Sequence, residues 1–107
     1  MKTLQISIHK DFSDNPAGRY KTDGPKSGEH FRDDFLIPAL VDNDEVTVIL
    51  DDVLGFGSSF LEEAFGGLIR CGLKVEDLKK KLKIISSVET YSKRIWRYIS
   101  QEASRKK

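Results

Sequence analysis

The chain has 107 residues, 38% hydrophobic and 33% charged, a composition that suits one small globular domain spanning residues 1–107. With 18 Lys+Arg against 17 Asp+Glu the formal charge is +1, which argues against a protein built mainly to hold nucleic acid or anionic lipid. The single cysteine, Cys71, excludes an internal disulfide and suggests no metal site; no apolar run approaches the roughly 20 residues that span a bilayer, and residues 1–10 lack a signal-like apolar region, so a cytoplasmic chain without membrane contact, cofactor or metal is expected.

Leu4, Ile6 and Ile8 alternate with Gln5, Ser7 and His9, so the spacing predicts a strand over residues 3–12 with one buried face. Asp14-Asn15-Pro16-Ala17-Gly18 is turn chemistry, and Arg19-Tyr20-Lys21 is expected to return as a short second strand, closing a hairpin. A further turn at Asp23-Gly24-Pro25 leads into a helix over residues 28–40, capped by Ser27, with Phe31, Phe35, Leu36 and Leu40 on one face. Pro38 falls inside that pattern and predicts a kink or break near Leu36 and Ile37. Arg32, opposite in register to Phe31 and Phe35, reads either as a solvated charge or, with Arg19, as part of an anion clamp.

Residues 46–50 form an apolar run of the kind found in a central strand covered on both faces. The turn Leu54-Gly55-Phe56-Gly57-Ser58-Ser59 follows, then a helix over residues 59–71 with a wide stripe of Phe60, Leu61, Ala64, Phe65, Leu68 and Ile69. Ser59 and Glu62 have capping-box spacing, with Ser59 as cap, and Gly72 is placed to stop the helix. Two glycines in mid-helix, Gly66 and Gly67, cost about 2 kcal/mol relative to alanine; close approach to the sheet or to a partner is the expected compensation. A short charged helical turn over residues 75–82 precedes a strand over residues 82–86. Ser86 and Glu89 read as a capping box for a last helix, whose apolar face carries Val88, Tyr91, Ile95, Trp96 and Ile99. Lys79-Lys80-Lys81, Lys83 and a basic tail over about residues 103–107 read as solvated charge. The order is β-β-α-β-α-β-α, an α/β layer domain with a small mixed sheet.

The turn after the third strand is the one candidate site. A helix start leaves unpaired N–H groups and a partial positive charge, so Gly55, Gly57, Ser58 and Ser59, with Arg19 and Arg32, are candidates for binding a partner or an anion. Ser59 can simply cap its helix, or it can accept a phosphate of about −1.5 to −2 charge, stabilised by the helix start and repelled by Asp51, Asp52, Glu62 and Glu63. Enzyme templates fit poorly. Gly55-Phe56-Gly57-Ser58-Ser59 lacks the lysine of a phosphate-binding loop and the order of a nucleophile elbow. The two histidines, His9 and His30, are not expected near these serines, and Asp51 and Asp52 should point to opposite faces. No catalysis is expected.

Laid out in this way, Gly18-Arg19-Tyr20, Ser27-Gly28-Glu29-His30-Phe31-Arg32 and above all Ser58-Ser59-Phe60-Leu61-Glu62-Glu63-Ala64-Phe65-Gly66-Gly67-Leu68 make the chain resemble the STAS-like family of unknown function, relatives of the bacterial anti-sigma factor antagonists. That resemblance covers about residues 15–90. It implies a four- or five-stranded mixed sheet with packed helices and a non-enzymatic binding role. In the antagonists the second serine of an Asp-Ser-Ser-Gly motif is phosphorylated by a kinase that is also the anti-sigma factor. By resemblance that serine is Ser59, with Ser58 before it; Gly57 stands in place of the aspartate and Phe60 in place of the glycine. The resemblance also implies a histidine-kinase-type ATPase as protein partner, and, as the alternative, a small-ligand or nucleotide-binding module.

Overall fold

In a computed structural model that describes residues 1–53 and 55–105, three parallel strands lie side by side in the order β1-β2-β3. They are β1 (Thr3–Ser7), β2 (Glu45–Ile49) and β3 (Leu82–Ile85). The expectations for Leu54 in the turn and for Lys106 and Lys107 in the tail lie outside the described residues. The helices are α1 (residues 28–42), α2 (residues 58–70), α3 (Val75–Lys81) and α4 (Glu89–Arg105), with one wide helical turn at Ile8–Phe12 after β1. Among the described residues no helix is long and apolar enough to cross a membrane.

The register pairs Leu4 with Val46 and Ile6 with Val48, and Val46 with Leu82 and Val48 with Ile84. These side chains therefore share one face, because partners across a ladder point the same way. Val46 and Val48 are fully buried there, whereas Thr47 and Ile49 are only half-buried and Ile85 is exposed. This corrects the expectation of a strand covered on both faces. Strands added in one direction through crossovers of one hand bring each connecting helix back to the same face, and the other is left to water.

The first strand is shorter than its alternation suggested, and the hairpin does not form. Ser7 accepts from the Lys10 N–H at 3.3 Å and donates its own N–H to Asp11 at 2.8 Å. Local side-chain bonds of this kind compete with a ladder, so the chain turns at Ile8 and buries Ile8 and Phe12 in the core. Lys21–Asp23 is a single 3-10 turn rather than a strand. The sheet is accordingly three-stranded and parallel among the described residues, not mixed and four- or five-stranded.

Ser27 caps α1 as expected, accepting from the His30 N–H at 3.2 Å. Pro38 does not end the helix, which continues to Asp42. The turn Arg32–Leu36 widens instead, with the Ile37 N–H reaching the Arg32 carbonyl, so that the missing proline donor falls in the first turn of the helical segment Ile37–Asp42. At the end of α2 the Leu73 N–H reaches the Leu68 carbonyl at 3.1 Å and the Gly72 N–H reaches Ile69 at 3.0 Å. Gly72 sits at φ 104°, the left-handed stop that only glycine adopts without strain. Helix α4 begins at Glu89, later than the Ser86 box requires, because the Ser86 hydroxyl is taken locally by the Val88 N–H at 3.1 Å; Val88 is left exposed.

Helix α2 is the centre of the molecule, packed between α1 and α4. Phe60, Leu61, Ala64, Phe65, Leu68 and Ile69 are all buried, as the stripe foretold. All six phenylalanines of the chain meet around it: Phe12 lies 5.2 Å from both Phe31 and Phe35, and Phe31 within 6.3 Å of Phe60 and Phe65. Phe56 joins through Phe60 at 5.9 Å.

Candidate functional site

The turn between β2 and α2 is held at both ends. Asp51 accepts from the Ser87 N–H at 2.8 Å and hydroxyl at 2.9 Å. Phe56 is buried, with its ring edge-on to Tyr91 at 5.3 Å. Gly55, between these anchors, and Gly57, Ser58 and Ser59, beyond Phe56, are exposed. Helix α2 starts at Ser58, with Gly57 in extended conformation as its cap residue and no side-chain cap bond.

Ser59 is therefore not the cap its spacing suggested. Glu62 does not fold back toward it, because Arg19 and Arg70 both bond its carboxylate, and charge-assisted bonds prevail over a single neutral N–H. Phe60 turns into the core at 1% exposure.

One turn further along α2, Glu62 and Glu63 gather three arginines from three elements. Arg19, on the loop before α1, bonds Glu62 and reaches Glu63 at 3.3 Å. Arg70 reaches Glu62 at 2.8 Å, Glu63 at 3.1 Å and Glu102 of α4 at 2.7 Å. Arg32 bonds the Glu63 carboxylate and, through Nε, Asp33 at 2.9 Å. Far from being solvated, Arg32 is only 7% exposed and Glu63 only 5%. Both wide turns of the helix pair, Arg32–Leu36 and Glu62–Gly66, carry these charges.

The two mid-helix glycines are explained here. A Cβ at Gly67 would lie 2.5 Å from Arg32 Nη1, and one at Gly66 would lie 2.7 Å from Glu62 Oε2 and 3.6 Å from Tyr98 Cβ. The close approach is to the α1 guanidinium and to α4, not to the sheet.

Pairing sets the charge states. Burial pushes the Glu62 carboxyl up, but hydrogen bonds from Arg70 and Arg19 outweigh it, and the net shift is downward. The Arg19 guanidinium is held above its ordinary range by its bond to Glu62, against burial. Arg70 is raised chiefly by Glu62. For Arg32 burial acts downward, yet Asp33 and Glu63 carry it upward. Arg19 and Arg32 thus converge on Glu63, already neutralised, while Ser59 stands three and four residues before Glu62 and Glu63 on the same helix face.

Beside this network a groove of about 780 Å³ opens between the Arg19–Tyr20 loop, α2 and α4, floored by Glu62, Glu63 and Glu102 and walled by Arg70, Tyr98 and Arg105. Sequence reading singled out none of Glu63, Arg70, Tyr98 and Glu102 as network members. The signal available was Glu62-Glu63 two helical turns before Arg70, with two glycines between them.

A three-stranded parallel sheet with helices on one face and a serine-bearing strand–helix turn defines a small α/β domain. A family model described as a STAS-like domain of unknown function matches residues 27–92, and the chain belongs to that family. The matched stretch includes the turn, Arg32, Glu62, Glu63 and Arg70; Arg19 and Glu102 lie outside it. No curated protein and no solved structure matches the chain.

Proposed function

We propose that this chain is a non-enzymatic regulatory module that binds a protein partner through the turn over residues 55–59 and the first turn of α2. Ser59 is the preferred phosphoacceptor and Ser58 the second, and the partner is a histidine-kinase-type ATPase, as for anti-sigma factor antagonists. The observation that carries the reading is the exposure of both serines at a helix start whose cap is Gly57. Neither hydroxyl is committed to capping, so a phosphate would not cost the helix its cap. That phosphate would gain from the helix dipole and stand one turn from the Arg19 that bridges Glu62 and Glu63.

The test is incubation with the cognate kinase and ATP, followed by intact mass. One added phosphate, absent in Ser59→Ala, supports the switch; an unchanged mass removes it. The second reading, a module for a small ligand or nucleotide, is favoured by the open groove of about 780 Å³ beside the arginine–glutamate network, with Tyr20 and Tyr98 in its lining. Thermal-shift titration with nucleotides separates the two, since a bound ligand at a hundredfold excess over Kd stabilises by about 2.7 kcal/mol.

A further inference from the structure

The two edges of the sheet are built differently. The β3 edge is four residues long and carries Lys83, a charge that discourages further pairing. The β1 edge, Thr3-Leu4-Gln5-Ile6-Ser7, has no charge, proline or glycine, and Thr3, Leu4 and Gln5 are exposed.

Which backbone groups face outward is set by the ladder. The Lys2 carbonyl accepts from the Asp44 and Glu45 N–H groups at 2.8 and 3.2 Å, so Lys2, Leu4 and Ile6 turn their polar groups toward β2. Thr3, Gln5 and Ser7 then turn theirs outward, by the alternation of a strand. The Ser7 N–H is occupied by Asp11 at 2.8 Å, which leaves the open stretch at Thr3 and Gln5.

Along this edge runs a groove of about 410 Å³ between β1 and α1. Its floor is apolar, with Leu4 (42% exposed), Phe35 and Pro38, and three carboxylates, Asp11, Asp34 and Asp42, line it. No lysine or arginine lines it. Asp34 faces His30 at 3.1 Å, and Asp42 has no cation partner among the described residues.

We infer that the β1 edge is a docking site for an extended segment of a partner protein that adds a fourth strand, with basic residues flanking an apolar one at every second position. Backbone bonds at Thr3 and Gln5 would supply affinity, and the groove would select the side chains. Inward positions i, i+2 and i+4 span about 13 Å, the length of β1 itself. An apolar side chain at the centre covers Leu4 and Pro38, and lysine or arginine stems lie over the same floor with their heads at the carboxylates. A second copy of this chain fits poorly, because pairing two β1 edges would bring the Asp34 and Asp42 faces of both α1 helices together.

The test is fluorescence anisotropy with a labelled peptide containing Lys-Thr-Val-Thr-Lys. Saturable binding is expected, at least tenfold weaker when both lysines are glutamate and at least tenfold weaker to Asp42→Lys. Gln5→Pro removes an outward N–H without touching the β2 ladder and should abolish binding while keeping the wild-type circular dichroism. If Gln5→Pro does not fold, Asp42→Lys, on an exposed residue, carries the test. Binding that is absent up to millimolar protein, or unchanged in the folded variants, overturns the proposal. So does sedimentation showing a wild-type dimer that Gln5→Pro converts to monomer, which would make a second copy the occupant.

Discussion

The Arg32 guanidinium lies across Gly67, its Nη1 standing 2.5 Å from where a Cβ would be, while the same nitrogen bonds Glu63. Glycine in mid-helix costs about 1 kcal/mol relative to alanine, so its presence here is set by what sits on it. Three glycines should respond in a definite order. Gly28→Ala is the worst, because its Cβ would meet the Phe60 carbonyl at 2.6 Å, backbone that cannot yield; a loss of about 2–3 kcal/mol is expected. Gly67→Ala should lose about 1 kcal/mol, as overpacking against a pinned arginine exceeds the gain in helix propensity. Gly66→Ala meets the far end of the Glu62 side chain, which can shift together with its arginines, and Tyr98 only at ordinary contact distance; it should be close to neutral. Urea denaturation of the three variants gives the ranking, and a reversed order would sink the account.

Glu63 holds the most buried charge pair. Removing one member of such a pair strands the other, so Glu63→Ala should lose about 3–5 kcal/mol by urea denaturation. Arg70→Ala removes an arginine whose side chain is 35% exposed, and a loss of about 1 kcal/mol is expected. Equal losses would mean that burial does not govern this network.

Acid should unfold the protein partly through Glu62. Its carboxyl titrates lower in the folded chain than in the unfolded one, so the native state binds fewer protons as pH falls. The stabilisation is present above the ordinary glutamate range of about 4.3 and is lost as pH drops through the folded value. Urea midpoints from pH 7 to pH 3 should fall below about pH 4.3, and Arg70→Gln should flatten that limb.

Two serines before helices separate a true cap from a free hydroxyl. Ser27 is fully buried and bonds the His30 N–H, so Ser27→Ala should cost about 1–2 kcal/mol. Ser59 makes no cap, and Ser59→Ala should stay within about 0.5 kcal/mol of wild type. A loss at Ser59 equal to that at Ser27 would restore the capping role its spacing suggested.

Much of this molecule is legible in the chain because local rules and the global fold agree. The stripe on α2, the Ser27 cap, the Gly72 stop and the strand at residues 82–85 follow from periodicity and end signals alone. The misreadings come from tertiary context the local pattern does not reveal, in two cases a competing bond. Alternation through Ile8 suggested a long strand, but Ser7 and Asp11 close a turn on it. Capping-box spacing assigned Glu62 to Ser59, yet Arg19, 43 residues away in sequence, claims the carboxylate. Arg32 read from helical register as a solvated charge or an anion clamp with Arg19; it is instead buried against Glu63, and the absence of a side chain at Gly67 gives it room. The strand–turn–helix order around the serines follows from the sequence pattern, while the charged surroundings of the turn come from tertiary contacts.

The all-parallel register has a kinetic consequence. Thr3 pairs with Glu45, and Val46 with Leu82, so no two strands are neighbours in sequence and no hairpin can form early. Each ladder must wait for a crossover of dozens of residues to close, and such closure is paid in chain entropy before any sheet contact repays it. The helices, with their local bonds, are then the elements that assemble first. Strand pairing becomes the late step, and substitutions within the ladder should chiefly speed unfolding rather than slow folding.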